Sequence, residues 1–129
     1  MIIVPTIHDK ACDMIVQYEI KQGRNAVNVA NKHLHFDIQG TRNIEVKATT
    51  HSKIPSLLYF YQPSWDWFRK DPNAWLYIVY DMKKKPRLLK MSRDDILKSC
   101  GINTYVEIWV TLPKEFRKAI KNIGAEIEL

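Results

Sequence analysis

Asp37, Glu45 and Lys47 are the residues of this chain whose types and spacing point most directly to chemistry. Glu45 and Lys47 are two positions apart, so on a β-strand both side chains project to one face while Ile44 and Val46 anchor the other. Asp37 lies across a short Gly40-Thr41-Arg42 turn, in phase to project to the same side if Phe36 and Ile38 are buried. Its carboxylate then approaches that of Glu45. Two clustered carboxylates repel unless a cation joins them, and hard oxygen donors suit Mg²⁺ or Mn²⁺. An ion held there polarises a phosphodiester and lowers the pKa of a bound water. Lys47 would orient that water or neutralise the developing oxyanion.

Plainer assignments compete for the same residues. Glu45 and Lys47 also fit a solvated strand face, and Asp37 fits an ordinary strand-end acid near Gly40. His33, His35 and Asp37 form His-x-His-x-Asp, which raises zinc or a non-haem iron enzyme as another class. His51 is the sole later histidine, and no cupin-like series of strands accompanies it. His35 on the active face would alternatively contact a phosphate.

The elements that must position these groups follow from apolar spacing. Ile7, Ala11, Met14, Ile15 and Tyr18 recur at helical intervals, so a first helix is expected over residues 9–22, ending at Gly23. Glu19 follows Ile15 by one turn and borders the buried stripe. Residues 24–32 are polar, with a short extended piece expected near Val27 and Val29. From Leu34 the period becomes two, which predicts a hairpin through Asp37 and Lys47. A third strand is expected at 57–61, a short helix at 63–70, and a central strand covered on both faces at 74–81. Beyond a Lys83–Pro86 turn come a strand at 87–91, a helix opened by Ser92 and stopped by Gly101, a strand at 103–112, and a last helix carrying Phe116, Ile120 and Ile123.

With 129 residues, 46% apolar and 26% charged, the chain suits one compact domain spanning residues 1–129. Its apolar runs are far shorter than the roughly 20 residues that cross a bilayer. Pro5, His8, Asp9 and Lys10 interrupt the start before any signal-peptide core forms, so a cytoplasmic location is expected. Cys12 and Cys100 lack a Cys-x-x-Cys partner and fit buried free thiols. A formal charge of +6 makes polyanions plausible partners.

Asp37 followed by Glu45-Val46-Lys47 resembles the PD-(D/E)xK nuclease superfamily, with its restriction-endonuclease-like fold. Tyr18-Glu19 and Gly23-Arg24, ahead of Phe-Asp-Ile and Ile-Glu-Val-Lys-Ala-Thr, are similar to small Mrr-like and Holliday-junction-resolvase-like members. The likeness covers about residues 7–81, and departs from the pattern where Phe36 stands in place of proline before the acid. It implies an α/β (α+β) fold with a central mixed sheet flanked by helices and an αβββαβ core. It further implies a Mg²⁺- or Mn²⁺-dependent DNA endonuclease, Asp37 and Glu45 as metal ligands, Lys47 as the catalytic lysine, and Glu19 as a further ligand or supporting acid. A homodimer follows by analogy. Gln62 follows the third strand where some families carry another active-site side chain. Arg24, His35, Gln39, Lys53, Arg69 and Lys70 are candidate nucleic-acid contacts; the tryptophans fit core or dimer packing first, with Trp65 and Trp67 the best placed of them to stack on bases or touch a partner. The competing class keeps the fold without turnover, as a module that binds nucleic acid or a partner protein.

Overall fold

The computed structural model describes residues 6–32, 34–104, 107–114 and 126–128. Helix α1 spans Ile7–Lys21. It opens on a reciprocal cap in which the Thr6 hydroxyl accepts from the Asp9 amide and the Asp9 carboxylate accepts from the Thr6 amide. It closes at Gln22, and Gly23 follows with φ +81, a conformation that a side chain rarely adopts.

Strands β1 (Ala26–Asn28), β2 (Ile38–Gly40) and β3 (Asn43–Ala48) form an antiparallel meander. Helix α2 (Gln62–Lys70) leads to β5 (Ala74–Tyr80), which lies parallel to β3 with Glu45 opposite Leu76 and Lys47 opposite Ile78. Strand β6 (Arg87–Ser92) pairs with β5, and β9 (Glu126–Glu128) with β6, giving a six-stranded mixed sheet in the order β1-β2-β3-β5-β6-β9. Strand β4 (Leu57–Phe60), β7 (Gly101–Asn103) and β8 (Ile108–Thr111) make a second, antiparallel sheet. Helix α3 (Arg93–Ser99) is capped by the Ser92 hydroxyl, as its sequence predicts.

This is an α+β architecture in which four strands, β1 to β4, lie between α1 and α2, and only the first three belong to the larger sheet. The apolar run at 57–61 does form a strand, which joins the second sheet through β8 instead of extending the hairpin. The run at 103–112 is likewise split, because β7 and β8 are two arms of a hairpin. The last expected helix, with Phe116, Ile120 and Ile123, falls outside the described residues, as does His33.

Alternation along β5 sorts two cores. Tyr77 and Val79 pack with Ala11, Ile15, Ile44 and Val46 beneath α1. Leu76 and Ile78 pack with Phe60, Phe68, Ile96 and Val110 beneath α2, α3 and the second sheet. Six of the seven β5 residues are buried, so its apolar run reflects cover on both faces. No described helix is long and apolar enough to cross a membrane.

Candidate active site

Ile44 and Val46 are held in the α1 core. That places Glu45 and Lys47 on the opposite face of β3, level with Leu76 and Ile78. The alternation expected from sequence therefore holds at these positions. Lys47 Nζ lies 3.5 Å from Glu45 Oε2 and 4.9 Å above the Phe60 ring, so its charge rests between a carboxylate and an aromatic floor. Glu45 is only 7% exposed.

Asp37 reaches this pair by a route that simple alternation does not describe. Strand β2 begins at Ile38, and residues 34–37 are irregular. Leu34 is exposed and the Phe36 ring packs 4.7 Å from Trp67. Three hydrogen bonds then hold Asp37. Its amide donates to Ile44 O (3.0 Å), its carbonyl accepts from the Val29 amide (2.8 Å), and its Oδ2 accepts from the Val46 amide (2.9 Å). Two of these bonds flank Glu45 on β3. The carboxyl groups of Asp37 and Glu45 are near enough for each to perturb the ionisation of the other.

Their environments drive them apart. Burial pushes Glu45 up to about 8, the neighbouring charge of Asp37 adds to the rise, and Lys47 opposes it. Burial also acts to raise Asp37, but the hydrogen bonds from His8, Glu45 and the Val46 amide outweigh it and hold the group below the usual carboxylate range. Asp37 thus ionises more readily than Glu45.

Helix α1 supplies two further groups. His8 Nε2 is 3.4 Å from Asp37 Oδ2 and 3.8 Å from Cys12 Sγ. The hydrogen bond to Asp37 pushes His8 up to about 10, while burial pushes the Cys12 thiol up. Both cysteines are free, as expected, but only Cys12 is buried and Cys100 is half-buried. Sequence reasoning missed His8 and Cys12 as site residues, although their spacing of four on one helix face was the available signal.

Glu19 requires a correction. It is fully buried, but it belongs to a separate polar chain: Arg24 grips it through Nε (2.9 Å) and NH2 (2.6 Å), the Tyr77 hydroxyl donates to it at 3.0 Å, and Arg42 donates to that hydroxyl at 2.8 Å. Eleven residues separate Glu19 from His8 on α1, about 16 Å at a 1.5 Å rise per residue. It therefore stands at the far end of the helix from Asp37. Arg24 is likewise committed to Glu19 instead of facing a nucleic acid.

Other expected contacts separate into exposed groups and buried ones. His35, Gln39, Lys53 and Lys70 are exposed. Gln62 faces Asp66 on its own helix at 3.3 Å, and Arg69 lies 3.5 Å from the same carboxylate. Trp65 is a core residue packed on Phe60 and Phe68, so it is not available for base stacking. Trp67 packs against Phe36 at a tilt and donates to Asp71 (3.0 Å). Among the described residues, the group of three side chains arranged to hold a metal is His8, Cys12 and Asp37, and His35 is not part of it.

Next to Lys47 opens a cavity of about 330 Å³, walled by Ala48, Thr49, Pro55, Leu57 and Tyr59 among others. A second, of about 290 Å³, shares Pro55 and is formed by His51, Ser52, Lys53 and Ile54. The model of the family described as protein NO VEIN, C-terminal, matches residues 7–91. That span holds His8, Cys12, Asp37, Glu45 and Lys47, and it ends within β6. No curated protein matches the chain.

Proposed function

The chain belongs to the protein NO VEIN, C-terminal family, whose description names no reaction, and we propose from the site itself that it is a metal-dependent nuclease of the PD-(D/E)xK superfamily acting on DNA. The observation that carries this is a buried Glu45 beside Lys47 on one face of β3, 3.5 Å apart, with Asp37 fixed next to them by the Val46 amide. The order α1, three-stranded meander, α2 and parallel β5 supports the same superfamily.

The donor set fits a hard divalent ion. Asp37, just before β2, and Glu45 on β3 bring two carboxyl groups into one setting, where Mg²⁺ or Mn²⁺ would relieve their repulsion. Asp37 and Glu45 would hold the ion. When bound, it supplies Lewis-acid stabilisation of phosphate charge and acidifies a water. Lys47 contributes a fixed positive charge at Nζ, positioned by Glu45 and backed by the Phe60 ring, for the developing oxyanion. The Val46 amide and His8 keep Asp37 oriented and ionised. The cavity beside Lys47 shares Pro55 with the one that Lys53 lines, and the two lysines would suit a phosphate backbone. Glu19 has no part in this site.

Cleavage of labelled duplex, single-stranded and branched DNA with Mg²⁺ or Mn²⁺ tests the proposal. The wild type should cut, chelator should stop it, and Glu45→Ala and Lys47→Ala should each lose at least about 100-fold in rate. Equal activity in all three proteins would sink the assignment. Salt-dependent DNA binding that ignores both chelator and Glu45→Ala would instead identify a binding module.

A further inference from the structure

His8 and Cys12 lie one helical turn apart on α1 and converge on Asp37, so that one nitrogen, one sulfur and one oxygen all fall within 4.8 Å of each other. We propose that these three side chains form a site for a borderline divalent transition ion of the Zn²⁺ class, distinct in donor chemistry from the carboxylate pair. The proposal holds whether or not the protein cleaves phosphodiesters.

The spacing carries the argument. In a tetrahedral zinc site, bonds of about 2.0–2.1 Å to nitrogen and oxygen and about 2.3 Å to sulfur put an N and an O about 3.4 Å apart, and an N and an S about 3.6 Å apart. His8 Nε2 stands 3.4 Å from Asp37 Oδ2 and 3.8 Å from Cys12 Sγ. Two edges of the coordination tetrahedron are therefore already near their required length without a helix or strand moving. Three protein ligands leave a fourth position for water or substrate.

Donor type selects the ion. Imidazole and thiolate favour Zn²⁺ or Co²⁺, whereas Mg²⁺ prefers an all-oxygen shell. The surroundings suit a bound ion as well. The Val46 amide donates to the same Asp37 oxygen and fixes its direction, which is the outer support that metal carboxylates need. Cys12 is fully buried, while the His8 side chain is 42% exposed and gives an entry path. Helix α1 and the start of β2 are both packed into one core through Ile15, Ile38 and Ile44, so the ligands sit on rigid supports.

The test is titration of the full chain with Co²⁺, read by thiolate-to-cobalt charge-transfer absorption, followed by Zn²⁺ displacement and competition against a chelating dye. One Co²⁺ per chain should bind with a sulfur band that Zn²⁺ abolishes. Cys12→Ala, which leaves a small apolar residue in place, should lose the band, and Cys100→Ala should retain it. His8→Gln, at the helix surface, should weaken Zn²⁺ at least about tenfold. Glu45→Gln should keep the band while losing Mg²⁺-dependent cleavage, so the two proposals fail separately. No sulfur band in the wild type, or a band that survives Cys12→Ala, would overturn the site.

Discussion

Replacing Glu45 with glutamine should make the protein more stable at alkaline pH, and the size of the effect follows from its burial. Glu45 is raised from 4.5 to about 8, chiefly by burial. A group raised on folding contributes stability that is fully present below its unfolded value and is lost as pH rises through the folded one. Wild-type stability should therefore decline from about pH 4.5 to pH 8. At about 1.4 kcal/mol per pH unit, the interval sets a ceiling near 5 kcal/mol. Because the ionisation of Glu45 depends on that of Asp37, about half of that is the realistic expectation. Glutamine mimics the protonated acid and can donate to Asp37 in the same way, so Glu45→Gln should match the wild type near pH 5 and exceed it by about 2–3 kcal/mol at pH 9. The raised His8 adds a further decline towards pH 10 that both proteins share, since its partner Asp37 is intact in each. Urea unfolding in chelator, followed by tryptophan fluorescence at pH 5, 7 and 9, reads the difference. Stability curves that run parallel across this range would refute the assigned protonation.

Four other outcomes follow. Arg24→Ala leaves the fully buried Glu19 carboxylate with only the Tyr77 hydroxyl and should cost about 3–5 kcal/mol by urea unfolding. Glu19→Gln should leave the Mn²⁺ dependence of DNA cleavage unchanged, because Glu19 is outside the site. Gly40→Ala would drive a Cβ into the Asn25 carbonyl, whose carbon is 2.6 Å away, and should lower the melting temperature by several degrees or abolish soluble expression. Zn²⁺ should inhibit Mg²⁺-dependent cleavage through the shared Asp37, and Cys12→Ala should relieve that inhibition in a rate assay.

The site was legible in the sequence wherever a short-range period decides it. Glu45 and Lys47 share a strand, so a period of two was enough to place them together. Asp37 arrived by backbone irregularity: the ladder ends at Ile38, and the carboxylate takes the Val46 amide that a longer strand would have engaged. That substitution has no signature in apolar alternation. Glu19 was misplaced because helical spacing says which face is buried, but not which end of the helix overlies the hairpin. The crossing of α1 brings His8, not Glu19, to Asp37. The run at 57–61 likewise declared a strand without declaring its sheet, since pairing with β8 depends on residues fifty positions away.

The measurement that bears most directly on the central claim is a crystal soaked in Mn²⁺ and recorded at the manganese absorption edge. An anomalous peak is expected within ligand distance of both Asp37 and Glu45, with Glu19 still held by Arg24. A peak that leaves Glu45 uncoordinated, or no peak at this hairpin, would contradict it.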